Sequence, residues 1–89
     1  MIMGVYAMRD SLSGFMQPTI EQNDAIAVRN FRHAVLNPDS VLFSSAKDFD
    51  LCKLGSFDTS SGLITPVPLP QSLVTAQDIR LQEVDSNAV

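Results

Sequence analysis

Arg29, Arg32 and His33 stand at i, i+3 and i+4 in a segment with helical patterning. Residues at those spacings share one flank of a helix. Donors in a row on a rigid element suit phosphate oxygens. Arg9 and Lys53 are weaker members of the same set, and Tyr6 and Phe15 offer rings on which unpaired bases can stack. The plainer reading is a solvated helix flank with both rings in the core. Six Lys and Arg stand against ten Asp and Glu, for a net charge of −4. That balance excludes a protein that neutralises a phosphate backbone with its whole surface, but it leaves room for a local basic patch.

Covalent and acid–base chemistry has little to draw on. His33 is the only histidine, hence the only ordinary general base near neutral pH. Cys52, the only cysteine, falls in an apolar strand pattern where a packed thiol is normal. No nucleophile and base are paired by spacing, so no catalytic residues and no enzymatic activity are expected. One Cys and one His cannot supply a metal-ligand cluster. Asp48, Asp50 and Asp58 lack the regular ligand spacing of a calcium loop and read as solvated turn and strand-end carboxylates. The four glycines form no phosphate-binding pattern. No cofactor is expected.

The elements that position these groups can be read from patterning. Ile2 to Arg9 reads as a strand, residues 10–14 as a turn, and Phe15 to Ile20 as a returning strand that Pro18 confines to an edge. Asn23 or Asp24 caps a helix expected over Asp24 to Leu36, with Ala27, Val28, Phe31, Ala34 and Val35 on its apolar stripe. Pro38 closes it. Val41-Leu42-Phe43 reads as a short strand or as a segment packed under the helix. Phe49 to Phe57 and Leu63 to Thr65 flank the turn Asp58-Thr59-Ser60-Ser61-Gly62 and make a hairpin. Pro66, Pro68 and Pro70 favour an extended connector near polyproline geometry, with Leu73 and Val74 as one more edge strand. Ala76 to Val84 suits a short helix, and the last five residues are expected to be mobile.

These elements predict an α+β fold: a small antiparallel sheet, built from a ββα unit plus a β-hairpin, with one main helix packed across one face. One domain over 1–75 and a polar, acidic tail over 76–89 follow from the composition. An 89-residue chain buries too little surface for ample stability, and one cysteine cannot staple it internally. A homodimer is therefore expected, the more so because such a sheet leaves edges and a second apolar face to cover. The uncharged stretch Leu63 to Gln77 contains three prolines and cannot span a membrane as a helix. The apolar start of the chain lacks a basic leader and reads as no secretory signal.

Several landmarks together resemble a known family. They are Tyr6-Ala7-Met8-Arg9-Asp10, then Phe15 and Pro18, then Ala27-Val28-Arg29-Asn30-Phe31. The most specific is Asp48-Phe49-Asp50-Leu51-Cys52-Lys53-Leu54-Gly55-Ser56-Phe57-Asp58, closing on Gly62. Over roughly Tyr6 to Leu69 the chain resembles the small nonstructural protein of gokushovirus-type microviruses, which are single-stranded DNA phages. The resemblance implies a protein made in the cytoplasm of the infected bacterial host and absent from the mature capsid. It also implies DNA binding, or action where duplex genome replication gives way to single-strand synthesis and packaging. DNA, single-stranded DNA or duplex, is then the expected ligand, and the residue pattern assigns its phosphates to Arg29 and Arg32, with Arg9, His33 and Lys53 as weaker contacts. The alternative is an adaptor that engages a phage or host replication factor through a sheet edge or the Pro-rich segment. The motif residues themselves read as structural, with Phe49, Leu51, Leu54 and Phe57 packing a hairpin and Gly55 serving a bulge or a close contact.

Overall fold

The computed structural model describes the backbone of residues 1–87 and the side chains of residues 1–84. The elements run β1 (Ile2–Asp10), β2 (Gly14–Phe15), β3 (Thr19–Glu21), α1 (Asp24–Val35), α2 (Val41–Ser44), a 3-10 turn (Ala46–Asp48), β4 (Phe49–Asp58), β5 (Ile64–Thr75) and α3 (Ala76–Asn87). The expected α+β architecture is present: one antiparallel sheet in the order β2-β1-β4-β5, with β3 also paired to β1. β4 takes one edge of β1 along its length, so β2 and β3 share the other. The expected return strand is thus two short pieces, broken at 16–18 around Pro18, which has no N–H to give a ladder.

Local chemistry sets the helices. The Asn23 side chain accepts from the Ile26 N–H at 2.9 Å and starts α1, and Asp24 favours the positive end of its dipole. Ala27, Phe31 and Val35 are buried from its stripe. Val41-Leu42-Phe43 forms α2 and not a strand, because the Ser40 hydroxyl caps it by accepting from the Leu42 N–H at 3.0 Å. At α3 the Thr75 hydroxyl accepts from the Asp78 N–H at 3.0 Å. Ala76 and Ile79 are fully buried, so the segment set apart above as a tail contributes to the core. The helix runs through Asn87; the last two positions expected to be mobile lie outside the described residues.

Register sorts the strands' side chains into two faces. Rows such as Thr19/Tyr6/Lys53/Gln71 and Met8/Leu51/Val74 point at the helices. Tyr6, Phe49 and Leu51 join Ala27, Phe31, Val35, Leu42, Ala46, Ala76 and Ile79 in one core cluster. On the other face lie Met3/Phe57/Ile64, Ile20/Val5/Gly55/Pro66, Ala7/Cys52/Ser72 and Phe15/Arg9/Asp50/Thr75. Leu54 is the extra residue of a bulge, for Tyr6 and Val5 face Lys53 and Gly55. Across from it, β5 carries residues 67–70 between partners of Lys53 and Gly55.

The Pro-rich segment is a correction to the reading from sequence. It is no connector between two strands but the middle of β5, a single 12-residue edge strand. Edge strands tolerate proline because their free side needs no donor. A strand of that length spans about 40 Å, and the molecule measures 48 × 29 × 22 Å.

Candidate functional site

α1 presents two of the predicted donors to solvent. Arg29 and His33 are exposed one turn apart, and neither makes an ion pair among the described residues. Arg32, between them, turns toward α3. It donates to the Gln82 side-chain carbonyl at 3.2 Å and lies 3.6 Å from a Glu83 carboxylate oxygen. Both partners of that pair are well exposed, so water competes with it and its contribution is small.

The remaining candidates sit elsewhere. Arg9 lies on the face away from the helices and grips Asp50 with two hydrogen bonds, at 3.1 and 2.6 Å. Its guanidinium also stacks 5.6 Å from the half-exposed Phe15 ring. Asp50 is not the solvated strand-end carboxylate expected from sequence: its side chain is 13 % exposed. Lys53 pairs at 3.0 Å with Asp24, at the start of α1, whereas Arg32 and His33 occupy its last turn. The five predicted donors therefore do not converge. Tyr6 is no stacking plane either, being 1 % exposed, but Phe15 keeps an open ring.

Sequence reasoning missed the centre that ties helix to sheet. The Tyr6 hydroxyl donates to Asp24 Oδ1 at 2.5 Å, and Lys53 Nζ donates to the same oxygen at 3.0 Å. The Tyr6 ring lies over Gly4, where any Cβ would collide with its hydroxyl end. The spacing Gly4-x-Tyr6 on one strand face was the available signal; the pairing with Asp24 had none, since it depends on where α1 lands.

Electrostatics follow the contacts. The Tyr6 hydroxyl bond, followed by that of Lys53, holds the Asp24 carboxyl below the usual carboxylate range against the opposing effect of burial. Burial raises Asp50, but the Arg9 and Ser72 hydrogen bonds and the Arg9 charge outweigh it and leave Asp50 lowered as well. Burial, followed by the Asp24 bond, pushes the Tyr6 phenol above its ordinary value. Carboxylates lowered in the folded state add stability that is present above their unfolded value and lost as pH falls through the folded one. Stability to urea should therefore be flat between about pH 7 and 5 and fall below about pH 4. Urea midpoints across that range check this, and Tyr6→Phe should flatten the acid limb.

His33 stands exposed on α1, whereas Cys52 is fully buried on the far face of the sheet, so the two are not a pair. Burial and the Asp50 charge raise the Cys52 thiol, which disfavours the thiolate. Among the described residues no group of three or more His, Cys, Asp or Glu could hold a metal ion. A cleft of about 170 Å³ opens between α1 and the sheet, lined by Met8, Ala27, Phe31, Ala34 and Leu51 with Glu21 and Asn30 beside them. Among the described residues no helix is long and apolar enough to cross a membrane.

A family model described as Phage ORF5 protein matches residues 3–79, from the second residue of β1 into the first turn of α3. No curated protein and no solved structure matches the chain.

Proposed function

The chain belongs to the Phage ORF5 protein family, and on that basis we propose that it is a non-enzymatic accessory factor of phage genome replication, acting in the cytoplasm of the infected bacterium. Its resemblance to the small nonstructural protein of gokushovirus-type microviruses supports a role where duplex replication gives way to single-strand synthesis and packaging. Within that role, contact with a phage or host replication protein is the primary mode. One observation carries this choice: most cations already face acceptors of their own chain, Arg32 the most loosely. Arg9 holds Asp50, Arg32 meets Glu83, Lys53 holds Asp24, and Arg80 donates to the Phe43 carbonyl. Among the described residues Arg29 and Lys47 are the Lys and Arg side chains left exposed without such a partner. Two phosphate contacts release few counterions and give weak, salt-sensitive binding.

Direct contact with single-stranded DNA is the second reading, favoured by the exposure of Arg29 and His33 on one flank with the loosely held Arg32 between them. Fluorescence anisotropy with a single-stranded and a duplex oligonucleotide at two salt concentrations separates the two. The primary reading expects weak binding that disappears at the higher salt, and a replication protein captured from infected cells after nuclease treatment. Tight binding with a steep salt slope, abolished in the Arg29→Ala, Arg32→Ala double variant, would instead establish the DNA reading.

A further inference from the structure

The helices cover one face of the sheet, and the other face is also apolar. Its four cross-strand rows contain Met3, Val5, Ala7, Phe15, Ile20, Cys52, Phe57 and Ile64. Ala7 and Cys52 are buried in its floor but lie outside the core cluster that the helices join. Around them Met3, Val5 and Phe57 are half-buried, and Ile20 and Ile64 are 42 % and 62 % exposed. An antiparallel sheet with one face packed and the other in water alternates apolar with polar residues. β1 does not: its outer face reads Met3, Val5, Ala7 before Arg9.

We propose that this face is the contact surface between two copies of the chain, packed sheet against sheet. Charge selects the occupant. The only charged residues in the four rows are Arg9 and Asp50, and they neutralise each other in a two-bonded pair. The chain as a whole carries −4, so two copies repel through most of their surface and meet without that cost here. A nucleic acid or a strongly charged partner would find no opposite charge on it. The sheet bounds the size of the contact. Four strands about 4.8 Å apart and a span of about 20 Å along β1 give a footprint of roughly 400 Å² before side-chain relief. Side-chain relief adds to this footprint, which compares with roughly 800 Å² per partner in a standard specific interface. Sheets pack face to face in this manner about 10 Å apart. This inference stands apart from the identity of any replication partner.

Sedimentation equilibrium of the full chain, over a hundredfold range of concentration and at low and high salt, tests it. The expected result is the mass of two chains, held or tightened as salt rises, because the interface has no intermolecular ion pair to lose and screening eases the repulsion between the two −4 chains. The double variant Ile20→Glu, Ile64→Glu should run as one chain with an unchanged far-ultraviolet circular dichroism spectrum. Leu69→Glu, at a side chain 78 % exposed on β5 and outside the four rows, should keep the mass of two. A wild type that stays single at every concentration overturns the proposal, as does a double variant that stays paired. If the double variant unfolds, Ile64→Lys alone must weaken the dimer at least tenfold; an unchanged dissociation constant counts against the proposal.

Discussion

Replacing Gly55 by alanine should cost about 3 kcal/mol and lower the melting temperature by roughly 12–24 °C. Gly55 is buried on β4, directly opposite Pro66 of β5. A Cβ there would fall inside the van der Waals envelope of the Thr65 carbonyl oxygen and only 3.0 Å from Pro66 Cα. Both obstacles are backbone, so no side chain can swing aside. Relief requires β4 and β5 to part, at the point where the bulge at Leu54 already interrupts their pairing. Gly62 is the control. It closes the hairpin turn at φ +78 with open space around its missing Cβ, so Gly62→Ala carries only the left-handed backbone cost of about 1 kcal/mol. Thermal melts of both variants decide the matter; a Gly55→Ala chain melting within a few degrees of wild type would refute the close-approach account.

Tyr6→Ala should be of similar severity, losing about 3–5 kcal/mol, the range for deleting a buried aromatic ring. The ring is 1 % exposed in the middle of the core, flanked by Gly4 on its own strand and reaching Asp24 on α1. Tyr6→Phe separates packing from hydrogen bonding: it keeps the ring and should cost about 1.5–3 kcal/mol, the usual contribution of a hydrogen bond to a charged group. Asp24 keeps Lys53 in that variant, which favours the lower end of the range. Urea denaturation of the two variants, with equal m-values, measures both effects. A Tyr6→Phe loss as large as that of Tyr6→Ala would mean that the ring contributes little and the hydroxyl nearly everything.

What could be read from sequence was what depends on neighbours along the chain. α1 was legible because Asn23 caps it and its apolar stripe recurs every three to four residues. The hairpin was legible because a polar turn ending in Gly62 separates two apolar runs. Elements too short for a period were not: α2 has four residues, and its helical state rests on one serine cap. α3 buries only Ala76 and Ile79 among its described residues, too sparse a pattern to reveal a core element. β5 was hidden because prolines argue against a strand unless its edge position is known. The candidate site was the least legible part. Arg9 and Asp50 are 41 residues apart and become cross-strand partners only through the register of β1 on β4. A basic residue counted as free in the sequence is thereby neutralised in the fold.

Both margins of the sheet are closed to lateral growth. On one side Pro66, Pro68 and Pro70 withhold three amide donors from any incoming strand. On the other, the margin is two fragments of two and three residues, separated at 16–18. An unprotected strand edge is otherwise a template for pairing with another chain. With both margins blunted, an incoming chain finds no continuous ladder of donors and acceptors to extend, which disfavours edge-to-edge growth.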